Sequence, residues 1–258
     1  MVFVVMFLAV AAWETRGPNR DWIVPSARRW TVHAVLLTIS AAISGAILGL
    51  SPVMAAVAAS GHSWGLLSQP WIPFGIRLVL TVLVLDFVKY ATHRMLHSVP
   101  WLWRIHRMHH SDPDFDVSTA ARVHPVEFIF VQSGTIGTIW LLAPPPLAVL
   151  IAILIAAFFS FFEHANASLP VKWEQRVRPW IVTPDMHRIH HSERDVEQTR
   201  NYGEIFPWWD WALRTYQPEP EGKLVVGLRG YQTIQSLEPN VLLTLAFRPT
   251  NEPESAGE

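Results

Sequence analysis

The chain has no cysteine in 258 residues. That excludes disulfides, thiolate-ligated haem, iron–sulfur clusters, cysteine nucleophiles and Cys-type zinc sites. Charge is also scarce: 16% of residues are Asp, Glu, Lys or Arg, where about a quarter is usual in a soluble domain. With 20 Lys+Arg against 21 Asp+Glu, the net charge of -1 gives no overall attraction for nucleic acid, and no local basic cluster replaces it. No nucleic-acid partner is expected. Any metal must be held by His, carboxylate or backbone, and the chain carries 12 His together with 13 Trp. A half-apolar composition with abundant imidazole and indole points to a membrane protein with a His-rich site.

From residue 30 to residue 76 no Asp, Glu, Lys or Arg occurs. About 20 apolar residues cross the hydrocarbon core, which predicts a first span near residues 32–59 and a second near 71–92, joined by an interfacial turn at 60–70. A second uncharged run, 128–162, is interrupted by Pro144, Pro145 and Pro146. Consecutive prolines do not continue a helix, so this run is predicted to fold back as a hairpin of two short helices. Residues 2–13 are apolar but too few for a full span, and read as a partial or tilted one. The expected architecture is an all-α, multi-pass integral-membrane bundle of about four transmembrane helices.

Positive residues set the expected orientation, because short cytoplasmic loops are rich in Lys and Arg. Arg16, Arg20, Arg28 and Arg29 precede the first span, and Arg94, Arg104, Arg107 and Arg122 follow the second. Lys172, Arg176, Arg178, Arg188, Arg194, Arg200 and Arg214 follow the hairpin. All fall on one side, which predicts a cytoplasmic helical cap, with Trp101, Trp103, Trp173 and Trp180 at the lipid interface. The pattern changes after Gln217. We divide the chain into a membrane domain, 1–217, and an extension, 218–258, whose last ten or so residues are predicted to be disordered.

Ten of the 12 His lie between His93 and His191. His93 and His97, four apart, share one face of a helix that can run on from the second span until Pro100. His106, His109 and His110 share a face again, and the same spacing recurs in His187, His190 and His191. His124, before Pro125, and His164, at the end of the hairpin, are single candidates. His33 and His62 read as ordinary interfacial or core side chains. Eight or nine convergent imidazoles exceed what one ion accepts, since transition ions take about four to six ligands, so two metals are implied. Imidazole suits iron, zinc and copper alike, and two closed four-His zinc sites remain open on counting alone. Neutral imidazoles leave the metal charge to be offset, and the carboxylates near in sequence are Asp86, Asp112, Glu163, Asp185, Asp195 and Asp210. Asp86, inside an apolar span, is a functional suspect: it can accept the second N–H of a ligand His or pair with Lys89.

The segments DFVKYATHRMLHSVPWLWRIHRMHHS, RVHPVEF, HANASLP, TPDMHRIHHS and NYGEIFPWWD resemble the fatty acid hydroxylase and sterol desaturase superfamily of membrane-bound diiron oxygenases. The likeness covers residues 75–216. It implies a His-rich dimetal site between a transmembrane bundle and a cytoplasmic helical cap, holding two iron ions, with zinc as a substitute in isolated protein. By position, the implied ligands are His93, His97, His106, His109, His110, His164, His187, His190 and His191. Some relatives carry a further His where this chain has Ser168, and His124, Asn166 or water are the candidate substitutes. The family's Gly-Thr-Tyr ending is Arg214-Thr215-Tyr216 here. The implied reaction uses O2 as co-substrate, takes electrons from a separate ferredoxin, cytochrome or reductase, and hydroxylates a membrane lipid. Two alternatives stand beside it: lipid desaturation at the same centre, and a non-catalytic metal-binding or metal-transporting role. The last would distribute His and carboxylates through the spans, whereas these His sit mostly at span ends.

Overall fold

The computed structural model describes residues 1–248 apart from Ser63 and Gln232. The tail predicted to be disordered lies outside the described residues. Among those residues every named element is helical, and one antiparallel bridge, Ser192 to Val226, is the β-type pairing. The helices are α1 Val2–Arg16, α2 Ser26–Leu48, α3 Pro52–Ala59, α4 Phe74–Ser98, α5 Pro100–His110, α6 Pro125–Leu142, α7 Pro146–Glu163, α8 Val171–Val177, α9 Pro184–His190, α10 Asp195–Gln198, α11 Trp208–Ala212 and α12 Pro239–Leu245. Three stretches are long and apolar enough to cross a membrane: Ser26–Ala59, Pro125–Leu142 and Pro146–Glu163.

The first of these is not one continuous helix, as the sequence reading had it. Gly49 takes a left-handed conformation (φ 67°) that closes α2, and Ser51 caps α3 by accepting from the Met54 N–H at 3.2 Å, with Pro52 in the first helical position. Gly at a helix end and Pro at a helix start are the residues that allow this break. The second predicted span is α4. It starts at Phe74 and continues through His93 and His97 to Ser98, but Arg77, Asp86, Lys89 and Arg94 keep it outside the three apolar stretches. The proline turn falls where expected, with Ala143 in a left-handed conformation (φ 45°) and Pro146 opening α7.

α2 has polar residues inside and apolar residues outside. Val35, Ile39, Ile43 and Ile47 are exposed, whereas Arg29, His33, Ser40 and Ser44 are buried. This inverted pattern places an oily stripe at four-residue spacing toward lipid and a polar stripe toward the protein. Small residues permit close packing at the opposite end, where Ala55, Ala56, Ile139 and Val149 form one cluster between α3, α6 and α7. α4 packs on α5, α6 and α7, while α2 packs on α6 and α1 on α7. α1 is fixed by Glu14, whose Oε2 accepts from the backbone N–H groups of Val117 and Asn166, each at 3.0 Å. Described residues between 218 and 248 fold back on this body. Val241, Leu242 and Leu245 of α12 cluster with Met108, and Glu193 N–H donates to Val225 O at 2.8 Å.

Candidate metal centre

Each of the two HxxHH strings lies at the end of a short helix opened by proline, Pro100 for α5 and Pro184 for α9, with His191 the residue that follows α9. Thr183 caps α9, accepting from Met186 N–H at 3.5 Å. Arg188 donates to the carbonyls of Ala165 and Ala167 at 3.2 and 2.9 Å, which ties α9 to the loop after His164. With His93 and His97 on the last turns of α4 and His164 at the end of α7, four helix termini meet.

They bring nine imidazoles into two groups. His93, His97, His106, His110 and His190 form one; His109, His164, His187 and His191 form the other. Within each group the candidate donor atoms lie within 4.8 Å of one another. The groups adjoin, since the His110 and His191 rings stack with centroids 4.4 Å apart.

Hydrogen bonds fix which ring nitrogen faces inward. The Nδ1 of His93 donates to Tyr202 O at 3.0 Å, that of His109 to Arg122 O at 3.2 Å, that of His164 to Ser160 O at 2.7 Å and that of His190 to Arg200 O at 2.7 Å. A carbonyl oxygen only accepts, so in each neutral ring the proton sits on Nδ1 and the Nε2 lone pair is bare. The Nε2 atoms of His93, His97, His106, His190 and His191 and both ring nitrogens of His110 are buried without a hydrogen-bond partner among the described residues. More telling is the contact of His109 Nε2 with His164 Nε2 at 3.2 Å. Both rings donate through Nδ1, so this approach sets lone pair against lone pair, and a cation between them removes the conflict. His164 Nε2 also lies 3.1 Å from His187 Nε2. Burial, then the neighbouring imidazole of His164, holds His109 well below the ordinary histidine range; burial likewise brings His164 down to about 4. Neutral, convergent, otherwise unpartnered imidazoles are the donor set that a transition ion takes.

The other sequence candidates lie elsewhere. His124 stands outside both groups and caps α6, its Nδ1 accepting from Val126 N–H at 3.1 Å. His124→Ala is expected to cost about 1 kcal/mol of stability and to leave metal content unchanged, as thermal unfolding and elemental analysis would show. The amide of Asn166 is engaged with the Arg20 backbone, and Ser168 Oγ donates to Asp185 at 2.7 Å, so neither substitutes for a further imidazole. Asp86 makes neither anticipated contact. It accepts from Ile205 N–H at 3.0 Å and from the Trp209 indole at 2.8 Å, whereas Lys89 pairs with Glu204 at 2.8 Å. Its role is to clamp the loop that carries Tyr202, the acceptor for His93. His33 is buried between Ser118 Oγ (2.9 Å) and Arg122 (3.2 Å), and exposed His62 stacks on Trp64, so both are structural. Of the four expected interfacial indoles, Trp101, Trp173 and Trp180 are exposed, but Trp103 packs on the His97 ring, 4.8 Å away.

Two features escaped the sequence reading. Glu127 is buried and accepts from His106 Nδ1 at 2.9 Å, the one carboxylate among the described residues that hydrogen-bonds a ring of the centre directly. Glu127→Ala is expected to weaken ion binding about 10–100-fold in a competitive-chelator titration; Glu127→Gln, which keeps an oxygen acceptor, should retain most of it. The second is a buried charge cluster beneath α5. Arg29 donates to Asp112 at 2.7 Å and to Asp116 at 2.5 Å, both ion pairs fully buried. Burial alone would raise the Asp112 carboxyl, but the charges of Arg29, His33 and Arg122 outweigh it and hold the group well below the usual carboxylate range. Arg122 in turn donates to Met108 O and Ser111 Oγ, each at 2.7 Å, and offers its own carbonyl to His109. A cavity of about 180 Å³ lies against both groups. Its walls include Leu37, Phe128 and Val131 together with Lys89, Glu163 and Glu204.

Helix ends that gather nine imidazoles above a lipid-facing bundle are the mark of a membrane metalloprotein. The fatty acid hydroxylase model matches residues 78–215, more than half of the chain, and the chain belongs to that family. Curated relatives include the ornithine lipid hydroxylase OlsE of Rhizobium tropici, 32% identical over 163 residues, covering 62% of this chain and 46% of that protein. An alkylglycerol monooxygenase of Xenopus tropicalis is 32% identical over 161 residues, covering 62% and 34% respectively. A methylsterol monooxygenase of Aspergillus fumigatus is 29% identical over 151 residues, covering 54% and 49%. The chain thus spans less than half of each of these relatives. No solved structure matches it significantly.

Proposed function

We propose that this chain is a membrane-bound oxidoreductase that hydroxylates an unactivated C–H bond of a membrane lipid, using O2 and a diiron centre held by the nine grouped histidines. The observation that carries the reading is the pair of inward-facing imidazole groups with bare, buried Nε2 atoms. Two bound iron ions would supply the reductive activation of O2 and the removal of hydrogen from carbon. The overall balance is lipid, O2, two electrons and two protons giving alcohol and water. The electrons come from a separate ferredoxin, cytochrome or reductase.

The chain's own residues bind and orient. Tyr202, Arg122, Ser160 and Arg200 carbonyls and the Glu127 carboxylate fix ring tautomers, so the donors are set before an ion arrives. Leu37, Phe128 and Val131 offer an apolar wall to a hydrocarbon chain entering from the bilayer side, and burial of the rings keeps bulk water away from the reacting carbon. That the relatives are named for ornithine lipid, alkylglycerol and methylsterol supports the lipid class of the substrate. Residues 1–217 form the functional unit, with 218–258 as an extension, and the histidines face the cytoplasm on the side of the arginine-rich segments.

The test is lipid mass spectrometry on cells with and without the gene, grown under isotopically labelled O2. A lipid that gains one labelled oxygen only in expressing cells is the expected result. Loss of two hydrogens without oxygen would move the assignment to desaturation. No lipid change, together with ion uptake by the cells, would replace the enzyme reading with metal transport.

A further inference from the structure

Four backbone carbonyls fix rings of the centre, and they differ in where they lie. Those of Arg122 and Tyr202 belong to buried residues, and that of Ser160 belongs to the apolar helix α7. Arg200 is half-buried, in the cap, and its carbonyl takes the Nδ1 proton of His190 at 2.7 Å. One hydrogen bond and one residue therefore separate the five-histidine group from the polar surface.

The surface at that point is basic. The Arg200 guanidinium donates to Arg214 O at 3.2 Å, and Arg94 and Arg200 both stand within electrostatic reach of the Tyr202 hydroxyl. The ion pairs that arginines make among the described residues use none of these three guanidiniums. Asp210, the carboxylate nearest to Arg214 in sequence, is buried and taken up by the N–H groups of Tyr202 and Gly203 and the Thr215 hydroxyl. Arg214 is exposed and holds a left-handed backbone (φ 60°), a conformation that costs any residue with a Cβ. A guanidinium thus stands where glycine would be easier. In the same turn Trp211 and Leu213 are exposed. Indole and aliphatic side chains beside arginine are the composition of a protein interface.

We propose that Arg94, Arg200 and Arg214, with Trp211 and Leu213, form the docking face for an acidic one-electron carrier protein, and that electrons enter the centre through Arg200 and His190. It rests on the diiron reading above. Two successive dockings, each leaving the carrier oxidised by one electron, deliver the two electrons of the overall balance, and the two protons come from solvent. Complementary charge steers such encounters and raises their rate, while salt screens it. The route reaches the five-histidine group first, because the carbonyls that hold His109 and His164 of the other group lie on a buried residue and on helix α7.

The experiment uses the full-length chain in detergent and two probes, an acidic plant-type two-iron ferredoxin and an acidic soluble b-type cytochrome. Carrier binding is measured on zinc-loaded protein, where no turnover occurs. The rate of reduction of iron-loaded protein is measured with each reduced carrier and with the methyl viologen radical cation, which needs no docking. Wild type is expected to bind at least one carrier, more weakly as salt rises. Arg214→Glu combined with Arg94→Gln should weaken that binding and slow carrier-driven reduction at least about 10-fold at low ionic strength, with viologen-driven reduction at least as fast as in wild type. Arg214→Gly is the sharper variant: it should weaken carrier binding while melting no lower than wild type, an outcome that a purely structural arginine would not give. Wild type that binds neither carrier, or binding indifferent to both the substitutions and salt, would overturn the proposal. So would variants whose viologen-driven rate falls equally, and variants that lose only their association with anionic phospholipid vesicles, which would assign the arginines to the membrane surface. A wild-type chain that takes up no iron would instead remove the diiron reading on which the docking depends.

Discussion

Alanine at His109 or at His190 is expected to lower product formation by at least about 10³-fold while the chain still inserts in the membrane, and the double variant should be scarcely worse than either single one. Groups that act as a unit lose their function at the first removal, so the losses do not add. The two residues test the two groups separately, because His109 belongs to the four-histidine set and His190 to the five. Each is held by a backbone carbonyl, Arg122 O and Arg200 O respectively, so the substitution removes a donor without freeing a second side chain. Labelled-oxygen product and bound iron, measured on the same membranes, check both halves. Wild-type product from either variant would contradict the shared centre.

Arg29→Met should have the largest effect on folding. The guanidinium is fully buried against Asp112 and Asp116, with Asp114 3.8 Å away. Removing one partner of a buried ion pair costs about 3–5 kcal/mol, because the other is left charged without compensation. A domain is stable by only about 5–15 kcal/mol, so a large part of the chain should fail to accumulate. What does fold should have lost metal as well, since the loop from Asp112 to Arg122 supplies the carbonyl that orients His109. The Asp112 carboxyl, held well below its usual range in the fold, contributes stability at neutral pH that is lost progressively as the pH falls below about 3.8, where the unfolded chain takes up the proton and the folded one does not. Arg29→Met in combination with Asp112→Asn and Asp116→Asn should recover expression; failure of that triple variant to do so would show that packing, not charge, is what Arg29 supplies.

Much of this was legible in the sequence for physical reasons. HRMHH and HRIHH carry their geometry in their spacing, because three-and-four periodicity on a helix is the same statement in sequence and in space. Pro144, Pro145 and Pro146 fixed the hairpin for a similarly local reason. What was not legible depends on residues far apart in the chain. Glu127 meets His106 from the first turn of another helix, and no spacing rule links them. Arg29 looked like a positive flank of the first span, yet helix α2 begins at Ser26 and turns it into the protein. Asp86 stands out in the sequence as an ionisable group in an apolar helix, but its partners are backbone N–H groups and an indole, and backbone donors leave no trace in residue identity. The break at Gly49 and Ser51 is carried by Gly and Ser-Pro signals inside an uncharged run whose length alone predicts a single span.

The opposed lone pairs of His109 and His164 reach from helix α5 to the end of α7, and His187 adds α9. An ion seated there joins three segments that are distant along the chain, and whatever free energy it gains on binding is added to that of the folded state. On the proposed diiron reading, iron supply should set how much protein survives as well as how fast it works: cells starved of the metal should contain less of this polypeptide, degraded as an open, incompletely clasped form.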